Sequence, residues 1–395
     1  AYAKEKPAKQ TYSKAFVAAY KPINDAFTAK QPDLATVKAG LPAVLAAIET
    51  DDDRYAAGNL MYNFGRESKD NATQREGVAM MIQSGKVPAD AAGQYNLIAG
   101  QLSYNLKDYA AARTYLQAAI AAGYSAEDAG GLIAESYFAE DKNQEGLDYL
   151  SQSIAAVKAA GGQVKSDWLN RGFVIAYNAG VGPQAADYSA MLVDIEPNET
   201  NWGNAIAVLR IYGNYDDQGV LDLMRLSKRT GSLRNERDYV DYIEAADARR
   251  LPAEVNSVIE AGVAAGQLKA NDVFVSDAKS IVSGRLGQDK ADLASLAKDA
   301  RAASATANTA MAAGDAYLSW NDAANAEQMY ALALTKAGVD APRVLTRLGI
   351  AQADQGKFAD AQQTFAKVDG PRKAIARLWA TYAKQKSGGA APAAQ

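Results

Sequence analysis

Three adjacent carboxylates, Asp51, Asp52 and Asp53, are the group in this sequence most like a metal site. Neighbouring helix positions do not converge on one point, and no Asp-x-Asp-x-Asp-Gly loop follows. The run therefore suits the positive end of a helix better than a cation. A second charged run, Arg225 to Arg237, holds five basic residues with Glu236 and Gly231. It reads as an exposed turn between helical units or as a contact for an anion or partner. Acid pairs such as Glu140-Asp141 read as solvated faces, because a helical glycosidase would need two opposed carboxylates in a deep cleft. The glycine pairs Gly130-Gly131 and Gly161-Gly162 follow no strand, and neither a phosphate loop nor a nucleophile elbow occurs. The chain has no Cys and no His. That removes thiol chemistry, the commonest transition-metal ligands and the side chain that titrates nearest neutrality. The expectation is a protein that is not an enzyme, with no catalytic residue, metal or cofactor.

Composition bounds the partners. A net charge of −4 and a pI of about 5.2 argue against nucleic acid, which asks for a basic domain. No uncharged apolar run reaches the ~18 residues of a transmembrane helix. Basic residues gather at the two ends: Lys4, Lys6, Lys9, Lys14, Lys21 and Lys30 at the start, and Arg372, Lys373, Arg377, Lys384 and Lys386 near the finish. They read as solvated ends, or as peripheral contact with an acidic envelope surface or partner protein. The opening Ala1-Tyr2-Ala3-Lys4 reads as a cut left by signal-peptide removal, which makes the protein periplasmic or secreted; a trimmed expression product is the alternative.

The elements that would position any site come from a repeat. Trp168 and Trp202 lie 34 residues apart, and each opens a helix-sized apolar segment. Gly172, Ile175, Ala185, Tyr188, Met191 and Pro197 follow the first of them. The same spacing recurs with Gly314, Tyr317, Ala326 and Tyr330, then with Gly349, Gly356-x-Phe358, Ala361 and Phe365. Small residues let paired helices approach, and aromatics fill the space between successive pairs. A helix pair cannot bury its own apolar face, so pairs stack. Helices are expected at about 9–28 and 33–48, then in pairs at 53–67 with 71–84, 90–105 with 109–122, and 127–140 with 143–160. Further pairs follow at 166–179 with 183–194, 199–213 with 216–230, 235–248 with 252–265, and 270–284 with 288–303. The last are 306–320 with 322–336 and 341–355 with 358–368, closed by a lone basic capping helix at 372–386. Residues 1–8 and the Ala/Gly/Pro tail 387–395 are expected to be disordered, and a joint is placed near 285–305.

These positions resemble the tetratricopeptide-repeat family, most clearly over 92–125, 165–198, 307–340 and 342–371, and are similar to secreted proteobacterial members of it. The resemblance implies an all-α, right-handed solenoid of about ten helix–turn–helix repeats. It also implies a concave groove lined by the first helix of each pair. That would place Asn96, Tyr104, Glu135, Asn170, Phe173, Tyr177, Asn204, Arg210, Arg343 and Arg347 on the binding face. Asn170 and Asn204 occupy matching positions, like the peptide-backbone ladders of helical-repeat binders. Arg343 and Arg347 echo one part of the family's carboxylate clamp, but the preceding repeat offers Ala312 and Asp315 in place of its partners. The function implied is a non-enzymatic scaffold of the bacterial cell envelope that binds a protein or peptide. Two alternatives stand beside it: a polysaccharide or small-ligand-binding solenoid linked to export, and a self-assembling homo-oligomer.

Overall fold

A computed structural model describes residues 9–388. The expected disorder at 1–8 and 389–395 lies outside the described residues. Among those described, the chain is all helical: twenty α-helices and one 3-10 turn, with no strand. It divides into two compact units between Val164 and Lys165.

The first unit holds α1 (Lys14–Thr28), α2 (Leu34–Ala46), α3 (Asp51–Glu67), α4 (Asn71–Gln83), α5 (Ala92–Asn105), α6 (Tyr109–Ala121), α7 (Ala126–Phe138) and α8 (Asn143–Ala159). Helix α1 starts at Lys14, not near residue 9. The reason lies in the acidic run. Thr50 caps α3, and the Asp53 carboxylate accepts from the backbone N–H of Glu49, Thr50 and Ser13, while Asp52 accepts from Thr11 N–H at 2.7 Å. Those bonds hold residues 11–13 against the head of α3, and Ser13 becomes the N-cap of α1. The acids therefore cap a helix and anchor a neighbouring strand of chain. The core of this unit is a succession of small clusters. Val37, Leu41 and Phe64 form one, Val78, Met81 and Leu102 the next, and Leu97, Leu116 and Ile133 another. Nearest-neighbour packing of this kind is what a stacked array produces.

The second unit holds α9 (Ser166–Asn178), α10 (Gly182–Ile195), α11 (Glu199–Tyr212), α12 (Asp217–Arg229), α13 (Glu236–Ala246) and α14 (Pro252–Ala264). These are followed by α15 (Val273–Arg301), α16 (Ala307–Ser319), α17 (Ala323–Ala333), α18 (Ala341–Asp354), α19 (Phe358–Phe365) and α20 (Lys373–Gly388). The pair expected at 270–284 and 288–303 is instead the single 29-residue helix α15. Gly284 and Gly287 lie where the two helices were expected to meet, but neither adopts a positive φ, and no proline interrupts the run. A glycine inside a helix costs only about 1 kcal/mol relative to alanine, which the packing of Val275, Val282, Ala297 and Ala300 outweighs. The stretch 285–301, where a joint was expected, is thus continuous helix.

The repeat register holds at its crossings. A Cβ on Gly314 would fall 2.6 Å from the Tyr330 ring, on Gly349 2.3 Å from Phe365, and on Gly172 2.8 Å from Tyr188. Each is a first-helix glycine facing a second-helix aromatic. Gly349→Leu is expected to destabilise the second unit by about 1–3 kcal/mol through overpacking. Gly284→Leu, where a Cβ would meet nothing, should leave it unharmed. Paired urea titrations of the two variants check the contrast.

Helix α20 does more than cover the last pair. It packs on α19 and α18, and also touches α10, α11 and α12. Trp379 is fully buried there, with its ring 6.2 Å from Phe365 and its Nε1 donating to the Asp222 carbonyl at 3.0 Å. The basic face expected to be open is largely spoken for. Arg372 pairs with Asp222, Arg377 with Asp187 and Lys384 with Asp194.

Candidate functional site

The expected binding residues separate into three environments. Asn96, Tyr104 and Glu135 belong to the first unit and are half-buried. Asn96 donates back to the Ala92 carbonyl, and Tyr104 sits edge-on to Tyr109.

Arg347 is buried rather than open, with Arg343 half-buried beside it. Arg347 is completely buried and bridges Asp222 of α12, at 3.2 Å, to Asp315 of α16, at 2.8 Å. Arg343 joins the same cluster through Gln218 Oε1 at 2.6 Å. Asp222 also receives Arg225 and Arg372, and Arg225 forks onto Glu254 with two bonds of 2.8 Å. Tyr242 donates to Glu254 and Tyr330 to Asp315. Burial pushes the Asp222 carboxyl up, but Arg347, Arg372 and Arg225 outweigh it and hold the group well below the ordinary carboxylate range. Glu254 is lowered in the same way, chiefly by Arg225 against its own burial. This is an ion network that ties α12 and α14 to α16, α18 and the 3-10 turn Gly370–Arg372 just before α20. The basic run Arg225–Arg237, expected as an exposed turn or anion contact, feeds it: Arg225 is buried, Arg229 pairs with Asp354, and Lys228 donates to Ser257.

The remaining residues lie on two successive first helices, α9 and α11. Phe173 and Tyr177 of α9 pack ring to ring at 5.8 Å, and Tyr177 meets Tyr212 of α11 edge-on at 6.1 Å. Asn204 accepts from Arg234, in the turn before α13, at 3.2 Å, and Arg210 reaches α13 itself, donating to Asp238 at 2.9 Å and to Asp241. Asn170 is exposed, so the two matching asparagines are not alike: one is bonded and the other faces solvent. The face α9–α11–α13 keeps a row of open apolar side chains, Val174, Tyr177 and Ile211, the last 53% exposed. Tyr177 and Ile211 are 34 residues apart, so they fall at the same repeat position. Beside Ile211 opens a cavity of about 420 Å³ lined by Arg210, Arg237 and four acids, Asp217, Asp238, Asp241 and Glu244. Arg210 and Arg237 are engaged by Asp238 and Asp241. Asp217 and Glu244 are exposed and have no ion-pair partner among the described residues. The cavity therefore presents net negative charge next to apolar surface. Ile211, Asp217 and Glu244 escaped sequence reasoning. Ile211 does repeat the position of Tyr177, and that was the available signal.

No protein-family model and no curated protein matches the chain. Solved structures to which it is similar include a tetratricopeptide repeat protein from Parabacteroides merdae, at 11% identity and TM-score 0.33, covering 76% of this chain and 99% of that one. Another is the Naa15/Naa10 complex bound to HypK, at 13% identity and TM-score 0.28, covering 95% of this chain and 68% of that one. The helix pairs, their spacing and the glycine-on-aromatic crossings make this an all-helical repeat protein.

Proposed function

We propose that the second unit is a non-enzymatic scaffold whose α9–α11–α13 face docks a protein segment carrying a basic residue beside an apolar one. The observation that carries this reading is the exposed Ile211 set against the unpaired acids Asp217 and Glu244 at one cavity. An apolar side chain supplies contact area, and a cation answers the carboxylates. The acids sit at the rim, so their effect should fall with salt.

Short synthetic peptides with a Lys-Leu or Arg-Leu core are the probe, with Glu-Leu counterparts as the control. Ile211→Ser combined with Glu244→Lys is expected to weaken capture of the basic peptides at least tenfold and leave the helical circular dichroism unchanged. Equal capture of basic and acidic peptides by the native chain would sink the reading. A cell-envelope location belongs to the same proposal, and fractionation of the source cells checks it.

A further inference from the structure

A second cavity, of about 390 Å³, opens among the end of α12, the start of α14, the turn between α16 and α17 and the end of α18. That volume lies within the range of small-molecule pockets, roughly 300–1,000 Å³. Most of its charged lining is spent on internal pairs. Glu254 accepts from Arg225 and Tyr242, and Asp354 takes the Arg229 fork at 2.7 and 2.5 Å. Lys228 is the exception. It is half-buried and has no ion-pair partner among the described residues, and its Nζ donates to the neutral Ser257 hydroxyl at 2.6 Å. Every other described lysine is exposed except Lys336, which donates to the Ala302 carbonyl.

An ammonium half out of water, bonded only to a hydroxyl, is biased toward its neutral form. Burial pushes Lys228 below the ordinary lysine value, against the pull of Glu254 and Glu260 and with the help of Arg229. A neutral amine is a nucleophile, and desolvated lysines in pockets form Schiff bases with carbonyl compounds. Ser257 Oγ stands within bonding distance of the amine, where a hydroxyl can pass a proton between nitrogen and a carbonyl oxygen. The rest of the lining selects the carbonyl compound. Ser319 and Asn321 border the cavity together with the Arg229–Asp354 pair. The Asn321 amide has no side-chain hydrogen bond among the described residues. These groups are partners for hydroxyls rather than for a hydrocarbon chain.

We propose that Lys228 captures a small hydroxyaldehyde covalently, as an imine formed inside this cavity. The ammonium first gives one proton to solvent. Nζ then adds to the carbonyl carbon and passes one hydrogen, through Ser257 Oγ, to the oxygen, giving a carbinolamine. The C–O bond breaks next, the nitrogen lone pair closes the C=N bond, and the oxygen leaves as water with the second nitrogen hydrogen. Nothing is oxidised or reduced, and the reverse reaction releases the aldehyde. The probe is glyceraldehyde with cyanoborohydride, which fixes each imine as a secondary amine that peptide mass spectrometry locates. On the folded full chain near neutrality, Lys228 is expected to label at least tenfold faster than the exposed lysines. Hexanal, with the same carbonyl and no hydroxyls, should show a smaller preference. Ser257→Asp, which sets a carboxylate beside the ammonium, should erase the preference, and a melting curve checks that this variant is folded. If it is not, the native-chain rates and the hexanal comparison decide. Labelling of Lys228 no faster than the exposed lysines, an equal preference with hexanal, or a preference kept by the folded Ser257→Asp chain overturns the proposal.

Discussion

Asp222→Ala is expected to destabilise the second unit by about 3–5 kcal/mol, the cost of leaving buried charge without its partner. Asp222 has no exposed surface and answers Arg225, Arg347 and Arg372 at once. Removing it strands Arg347, itself wholly buried, with Asp315 as its only carboxylate. Asp187→Ala is the matched control. Its pair with Arg377 is roughly half exposed on both sides, and such a pair contributes about 0–1 kcal/mol. Denaturant unfolding of the two variants should separate them clearly; similar losses would mean that the network is not what holds the unit. Acid should act through the same groups. Asp222 and Glu254 have lowered folded pKa values, whereas unfolded carboxyls titrate near ~4. The unfolded chain therefore takes up protons first, so the stabilisation is complete above that value and is lost as pH falls through the folded values. Melting temperatures recorded from neutrality down to pH 3 are expected to fall steeply only at the acid end.

Trp379→Ala is expected to cost about 3–5 kcal/mol, in the range for large-to-small changes in a packed core. The indole is among the largest fully buried side chains. It stacks on Phe365, meets Tyr382 edge-on, carries the Arg229 guanidinium 5.3 Å above its ring, and donates to the Asp222 carbonyl. Truncation leaves a cavity beside the ion network and removes the indole's bond to the Asp222 carbonyl. Trp379→Phe keeps the stack and loses the donor, so it should fall between the native chain and the alanine variant. The loss of near-ultraviolet dichroism together with a lower unfolding midpoint would register the change. A native-like midpoint for Trp379→Ala would show that α20 is a superficial appendage.

Local features were legible in the sequence. The Trp168–Trp202 interval, the glycines that meet aromatics and the turn residues between pairs all act within about forty residues, and the helices fall close to where they were expected. The long α15 was missed because the rhythm of helix pairs was carried through a stretch that keeps little of the repeat signature, and nothing there breaks the helix. The site was legible only in part. Phe173 and Tyr177 meet on α9, and Asn204 and Arg210 reach toward the next helix pair from α11, because successive repeats place them there. Arg347 was misread because its partner Asp222 is 125 residues away. Spacing along a helix says which face a polar residue occupies and nothing about what distant helix covers it. A hint did exist on the other side: Asp222 and Arg225 interrupt Leu221, Leu223, Met224 and Leu226, and ionic residues inside so apolar a run are there to meet each other or something else buried.

The bridge made by α20 sets an order of events during synthesis. Asp222 and its partner Arg372 are 150 residues apart, so at translation rates of ~5–20 residues per second the carboxylate waits roughly ten seconds or more for that guanidinium. Through that interval α10, α11 and α12 have left the ribosome with the surface meant for Trp379 uncovered. The nascent second unit therefore keeps apolar surface open until its last helix is made, while the first, built mainly from contacts between successive helices, can settle as each pair emerges.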